Sequence, residues 1–268
     1  MWLKEIFGEE KPVIGILHIK ALPGTPLYDS NMGLEGIMKL ARADYISLVR
    51  GGISGVIFCN EYDKPYSKQV EPNIIACMTS IVKECLRDNE IIPFGIDVQW
   101  DPKAALAIAL ATGASFIRGI VCGTYCGDYG MYCPNIEEII NYKKKIKADN
   151  IKILTNLSPE FSYSIDNRDI SLRAKTVTKS SLVDALCVSG VMAGVQAPYE
   201  EIKNIKNTVG DFPIIANTGV NFENVRDILD IADGCCVATC IKVDGNSLNS
   251  MDEERVRKLM KIVRGNNI

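Results

Sequence analysis

Residues 213–220 read P-I-I-A-N-T-G-V and residues 234–245 read G-C-C-V-A-T-C-I-K-V-D-G, with a helix-like segment between them. The runs 213–216 and 234–238 are apolar, too short for helices and long enough to cross a sheet. Asn217, Thr218 and Gly219 follow the first run, and Thr239 follows the second. Glycine and threonine at such ends leave room for a ligand and present backbone N–H groups to it. If these are the last two strands of a (β/α)8 barrel, their loops form the phosphate site usual for that architecture. The number of strands upstream decides the matter.

Working outward, the same strand–helix unit recurs along the chain, and a single domain over 1–268 is expected. Strands are expected near 13–18, 55–59, 93–98, 116–120, 151–156, 185–189, 213–217 and 234–239. Between and after them, eight helical segments are expected, near 34–50, 72–88, 101–111, 136–148, 171–180, 198–209, 224–231 and 252–264. Gly51-Gly52 stops the first helix, and Asp101-Pro102 caps and starts the third in the favoured order. Two long loops stand out. The loop 121–134, rich in glycine and aromatic residues, is expected to fold over a pocket, and 157–169 carries Pro159, Phe161 and Tyr163. Strict alternation implies a parallel sheet, because parallel neighbours need a crossover connection. An open doubly wound sheet would favour G-x-G-x-x-G after its first strand, whereas L-P-G-T-P stands there and no G-x-x-x-x-G-K-[ST] occurs. The expected fold class is α/β, a single (β/α)8 TIM barrel.

Composition agrees with that reading. A chain of 268 residues is close to the roughly 250 that one such barrel needs. The net charge is −3 with bases and acids intermixed, so no nucleic-acid face is expected. The basic run from Lys143 to Lys147 reads as the cationic end of a helix. Residues 1–12 lack the apolar core of a signal peptide. The apolar stretch 104–117 is broken by Thr112, Gly113 and Ser115. It falls short of the ~20 residues of a transmembrane helix, so no membrane span is expected. Of ten cysteines, Cys59, Cys187, Cys235 and Cys236 lie in strand-like runs and Cys77 and Cys85 in a helical one. They read as buried free thiols of a reducing cytosol, which gives a cytoplasmic placement. The loop cluster Cys122, Cys126 and Cys133 lacks a paired C-x-x-C or a nearby histidine and is weak as a zinc site.

The strand ends carry polar residues throughout: His18, Asn60 with Glu61, Asp97, Arg118, Asn156, Ser189, Asn217 with Thr218, and Thr239 with Lys242. A strand leaving the core explains any one of these; eight at one end point to a pocket. His18 is the only histidine. At an exposed strand end it would titrate near neutrality and suit general acid–base work, or it would simply bond a loop carbonyl. Asp97 projects from an apolar strand, where Arg118 would offset its burial, as a structural ion pair or as a substrate clamp. Glu61, Asp97 and His18 could hold a divalent metal, though no tight ligand spacing supports one; no other cofactor is expected. Lys242 raises the question of a Schiff base, which needs a desolvated amine; a contact to substrate or to Asp244 is the simpler reading. No G-x-S-x-G elbow is present.

Several motifs together resemble one family. P-V-I-G-I-L-H at 12–18, A-L-P-G-T-P at 21–26 and N-E-Y-D-K-P-Y at 60–66 are similar to the BtpA/SgcQ family, as is the long segment W-D-P-K-A-A-L-A-I-A-L-A-T-G-A-S-F-I-R at 100–118. So are A-L-C-V-S-G at 185–190, A-N-T-G-V at 216–220 and A-D-G-C-C-V-A-T-C-I-K-V-D-G at 232–245. The forms around Asn60 and Asp184 are closer to the SgcQ branch than to the photosynthetic one. The resemblance implies a TIM barrel of the ribulose-phosphate-binding kind, and the family name derives from photosystem I biogenesis. Where the family usually has G-T at the end of the eighth strand, this chain has Ala238-Thr239, which narrows the pocket slightly.

Two functions follow as expectations. In the first, the chain is an isomerase, epimerase or lyase for a small phosphorylated sugar or related metabolite. Phosphate would rest on the N–H groups of Gly219, Val220 and Thr239. His18, Glu61 and Asp97 would share proton transfer while Arg118 steadies an oxyanion. In the second, it is a non-catalytic assembly or biogenesis factor, which would need an exposed apolar surface or an amphipathic partner helix. Pairing into a homo-oligomer through helices or loops is an expectation of the fold.

Overall fold

The protein is described from a computed structural model that covers residues 2–192 and 194–265. It begins with α1 (Trp2–Phe7), β1 (Val13–His18), α2 (Gly33–Gly51), β2 (Gly55–Cys59), α3 (Pro72–Leu86), β3 (Phe94–Asp97), α4 (Pro102–Thr112) and β4 (Phe116–Gly119). Next come β5 (Tyr125–Gly127), β6 (Gly130–Tyr132), α5 (Ile136–Lys145), β7 (Lys152–Ser158), β8 (Ser162–Ser164), α6 (Ile170–Ser180) and β9 (Ala185–Val188). The rest is α7 (Tyr199–Val209), β10 (Ile214–Ala216), α8 (Val225–Ile231), β11 (Gly234–Val237), short 3-10 turns at Thr239–Ile241 and Val243–Gly245, and α9 (Glu253–Val263).

Eight of the strands close into a parallel barrel in the order β1-β11-β10-β9-β7-β4-β3-β2. The seam joins Val13 to Cys235 and Ile14 to Cys236. The TIM barrel expected from the alternation is present. Most barrel strands are buried along their whole length, which is why they read as continuous apolar runs rather than alternating ones. Their side chains divide between two cores. One set packs outward against the helices, including Leu17, Phe58, Ile96, Ile117 and Val188. The alternate set, including Ile14, Ile16, Ile57, Cys59, Phe116, Leu154, Cys187, Ile215 and Cys236, fills the barrel interior. Gly95 is glycine for a packing reason: a Cβ there would lie 2.2 Å from the Phe116 ring.

Two features lie outside the expected pattern. The first is α1, which packs at the N-terminal ends of the strands. Leu3 and Phe7 join the interior cluster, and the Phe7 ring stands 5.6 Å from that of Phe116. The Trp2 Nε1 donates to the Asp184 carbonyl at 3.0 Å. The second is a small antiparallel sheet, β6-β5-β8, built from the two long loops after β4 and β7. Beneath it, Trp100, Ile120, Tyr125 and Tyr132 form a separate apolar cluster. The Tyr132 hydroxyl donates to the Trp100 carbonyl at 2.7 Å and to that of Ile120 at 3.2 Å. The loop 121–134 thus forms a cover at the barrel's C-terminal end.

Local signals act as the sequence suggests. The Asp101 side chain accepts from the Ala104 N–H, with Pro102 beginning α4. Gly52 ends α2 in the left-handed region, at φ 81°. Lys143, Lys144 and Lys145 occupy the last turn of α5. All ten cysteines are unpaired. Among the described residues no helix is long and apolar enough to cross a membrane.

Candidate functional site

The barrel mouth opens into a cavity of about 460 Å³, within the usual range for small-molecule sites. Its wall includes His18 from β1, Glu61 after β2, Arg118 from β4, Asn156 from β7, Asn217, Thr218, Gly219 and Val220 after β10, and Thr239 after β11. Four other residues singled out by the sequence stand behind the wall: Asn60, Asp97, Ser189 and Lys242.

A buried polar chain lies under the floor. The Arg118 Nε and Nη2 donate to Asp97 Oδ2 at 2.8 and 2.5 Å. Its Nη1 donates to Asn217 Oδ1 at 2.5 Å, and Asn217 Nδ2 donates to Ser189 Oγ at 2.8 Å. Burial pushes the Asp97 carboxyl up, and the Arg118 guanidinium pulls it the other way. Asp97 is 2 % exposed. It answers the charge of Arg118 from below and does not meet the cavity. Asn60 is also structural: its Oδ1 accepts from Gln99 N–H at 2.8 Å and its Nδ2 donates to Asp63 Oδ2 at 3.0 Å. Asn156 differs from these. It is 6 % exposed, lines the cavity, and its buried Oδ1 has no hydrogen-bond partner.

His18 is not the exposed strand-end residue that the sequence suggests. Burial pushes its imidazole down to about 3, with Glu61 pulling up and Lys242 and Arg118 pushing further down. The ring is therefore neutral at ordinary pH. Lys242 is 2 % exposed. Its Nζ lies 3.5 Å from His18 Nδ1 and donates to the Ser247 carbonyl at 2.7 Å. Burial pushes this amine down to about 8, against the pull of Asp44. An ammonium only donates, so Nδ1 is the acceptor and the imidazole proton sits on Nε2. Lys242 lines a small separate cavity with Asp44 on the α2 side of β1 rather than the main one.

Glu61 is the ionised carboxylate of the mouth. Lys64 pairs with it at 2.9 Å, and Gln99 Nε2 donates to it at 3.2 Å. Burial pushes it up, but the charge that His18 takes on in acid, together with Lys64 and Tyr66, outweighs burial and leaves it below its ordinary value. Two residues the sequence did not flag also line the cavity, Glu160 and Arg255. Burial pushes Glu160 up, opposed mainly by Arg118. Arg255, in the first turn of α9, donates from Nε to the Cys240 carbonyl at 2.8 Å. Its guanidinium lies 5.2 Å from the centre of the Phe222 ring. Among the described residues no carboxylate pairs with it. Glu160 sits in a loop without motif, and Arg255 looks in the sequence like any helix-surface base, so neither carried a signal.

The loops after β10 and β11 shape the other end. Gly219 has φ +68°, and a Cβ there would stand 2.1 Å from the Gln196 backbone nitrogen. Thr218 Oγ1 donates to the Val195 carbonyl at 2.7 Å and accepts from the Gly190 N–H at 2.6 Å. The β10 loop is thus fixed against the β9 loop. Among the described residues no group of three His, Cys, Asp or Glu side chains stands together as a metal site. Glu61 and Asp97 each turn to a cation of the protein instead.

The sequence pattern of the BtpA family matches residues 9–265. The chain is 42% identical to the putative sgc region protein SgcQ of Escherichia coli strain K12, over 98% of this chain and 97% of that one. It is 29% identical to the photosystem I biogenesis protein BtpA of Synechocystis sp. strain PCC 6803, over 96% and 89%. Among solved structures, thiamine phosphate pyrophosphorylase from Pyrococcus furiosus has a TM-score of 0.54 at 17% identity, with 96% of each chain covered. Phosphoribosyl anthranilate isomerase from Thermus thermophilus has a TM-score of 0.56 at 12% identity, covering 96% of this chain and 100% of that one. These two share the barrel. With the family pattern running from just before β1 to just past α9, the chain belongs to the BtpA family.

Proposed function

We propose that the barrel mouth binds a small phosphorylated sugar or related metabolite and moves protons on it, as an isomerase, epimerase or lyase. The observation that carries this reading is the division of one cavity into two chemically different ends. At the β10–β11 end, the Arg255 guanidinium and the backbone N–H groups of Gly219, Val220 and Thr239 suit a phosphate. Ala238, where the family usually has glycine, stands beside Thr239 on this wall and narrows the approach. Toward β1, β2 and β4, Glu61 is ionised and suits a base, while neutral His18 suits a hydrogen-bond donor. Arg118 steadies negative charge that develops on a substrate oxygen, and Asp97 acts through it. Asn156 has an unused acceptor for a substrate hydroxyl. The names of the two fold neighbours mention phosphate compounds, which supports the reading by analogy of fold alone.

Thermal unfolding with a panel of sugar monophosphates tests this. A ligand at 100 times its Kd adds about 2.7 kcal/mol of stability, and Arg255→Ala removes that gain. A panel that leaves the melting temperature unchanged, inorganic phosphate included, sinks the proposal. A second reading, an assembly factor, has its own observation: Val191, Met192, Val195 and Tyr199 are exposed apolar residues close in sequence. Under it, a cellular phenotype survives Glu61→Gln and Arg255→Ala and is lost on Met192→Glu.

A further inference from the structure

We propose that Glu160 is the proton donor of this site, acting opposite Glu61 in a two-base transfer at a carbon beside a carbonyl of the bound metabolite. The inference rests on the metabolite-site reading above. Both carboxylates line the one cavity, and they leave the barrel from β2 and β7, three strands apart in the closed order. They therefore reach a ligand from different walls. Glu61 is held by Lys64 and Gln99, whereas among the described residues no other side chain hydrogen-bonds to the Glu160 carboxyl. Asn156, from the same strand, is a buried neighbour on that wall with its Oδ1 unpartnered. The β7 side of the cavity thus holds hydrogen-bonding capacity that the protein itself does not use.

The position of Glu160 is built rather than floppy. The chain turns immediately after it at Phe161, whose φ of +59° is rare for a bulky residue. It then enters β8, which pairs with β5 through Gly127 and Ser162. Gly127 permits that contact, since a Cβ there would lie 2.1 Å from the Phe161 carbonyl oxygen. The cover sheet therefore fixes the residue next to Glu160. The groups that act on its carboxyl are Arg118, which lowers it, and Glu61 and Asp97, which raise it, on top of burial. Glu61 is held below its ordinary value while Glu160 is held above. Two carboxyl groups with environments that push them apart are the pattern of an acid and a base.

The step balances with no further reactant. The Glu61 carboxylate takes the carbon-bound proton, and the C–H electron pair passes into an enediolate steadied by Arg118. Glu160 then protonates the carbon, which leaves Glu61 protonated and Glu160 ionised. Exchange with solvent restores both.

The test uses the full chain with a panel of ketose and aldose monophosphates in D2O, followed by proton NMR. For the wild type, product gains a carbon-bound deuterium while recovered substrate gains none early in the reaction. Glu160→Gln lowers formation of deuterated product by about 10² to 10⁴-fold, and deuterium now appears in recovered substrate, because Glu61 still removes the proton and returns a solvent deuteron to the same carbon; Glu61→Gln abolishes both. If a panel compound raises the melting temperature but its C–H never exchanges, the donor role fails and the binding reading stands. The donor role fails equally if Glu160→Gln turns over at the wild-type rate. If no compound shifts the melting temperature, both readings fail. In carboxyl-labelled protein, the resonance lost in Glu160→Gln titrates above about 4.3, the ordinary glutamate value; titration at or below it overturns the inference.

Discussion

A guanidinium buried inside a barrel is tolerable only while a neighbouring charge answers it. Asp97→Ala leaves Arg118 unanswered, and a broken buried pair of this kind costs about 3–5 kcal/mol. Urea unfolding at neutral pH measures the loss. The double change Asp97→Leu with Arg118→Met removes both charges and recovers most of the stability, which separates the pair's structural part from any role toward ligand. His18 gives a second prediction. Its folded-state value of about 3 lies below the unfolded value of about 6.5, so in between the unfolded chain binds the extra proton. Its contribution to stability is complete above pH 6.5 or so, and it declines as pH falls toward 3, by up to about 1.4 kcal/mol per pH unit. In His18→Asn that part of the acid sensitivity is absent, as unfolding curves across the window would read. The sequence placed His18 correctly at a strand end but had no means to show Lys242 packed behind it. That contact joins residues far apart in the chain; burial does most to make the ring neutral, with Lys242 adding to it, and an expected acid–base group becomes a neutral donor.

At the scale of elements, legibility followed length and burial. Each barrel strand is an apolar run bounded by turn residues, so all eight could be read. The strands of the cover are three residues each, and two of them contain glycine, so no period could emerge. They exist because two loops distant in sequence pair with each other. The helix α1 is only six residues long and is stable through contact rather than propensity. The cover makes a prediction of its own. Gly127→Ala forces a Cβ toward the Phe161 carbonyl, and such overpacking costs about 1–3 kcal/mol. Amide exchange at residues 125–127 and 162–164 then quickens about five- to 150-fold, while the barrel strands keep their protection. Equal loss across β1 to β4 would show that the cover is not a separate unit.

In the molecule as a whole, α1 closes one end of the barrel and the cover overhangs the other. Phe7→Ala removes a ring from the interior cluster and costs about 3–5 kcal/mol. Calorimetry or urea unfolding checks it, and the mouth, at the far end, keeps its ligand affinity. The barrel itself closes through β1 and β11, where Val13 meets Cys235. On a ribosome these two strands emerge more than two hundred residues apart, which at about 5–20 residues per second means a delay of roughly 10 to 45 s. Throughout that interval one side of β1 has unpaired backbone groups that could template a foreign strand. Slower synthesis lengthens that exposure of the first strand, so translation speed becomes a determinant of yield.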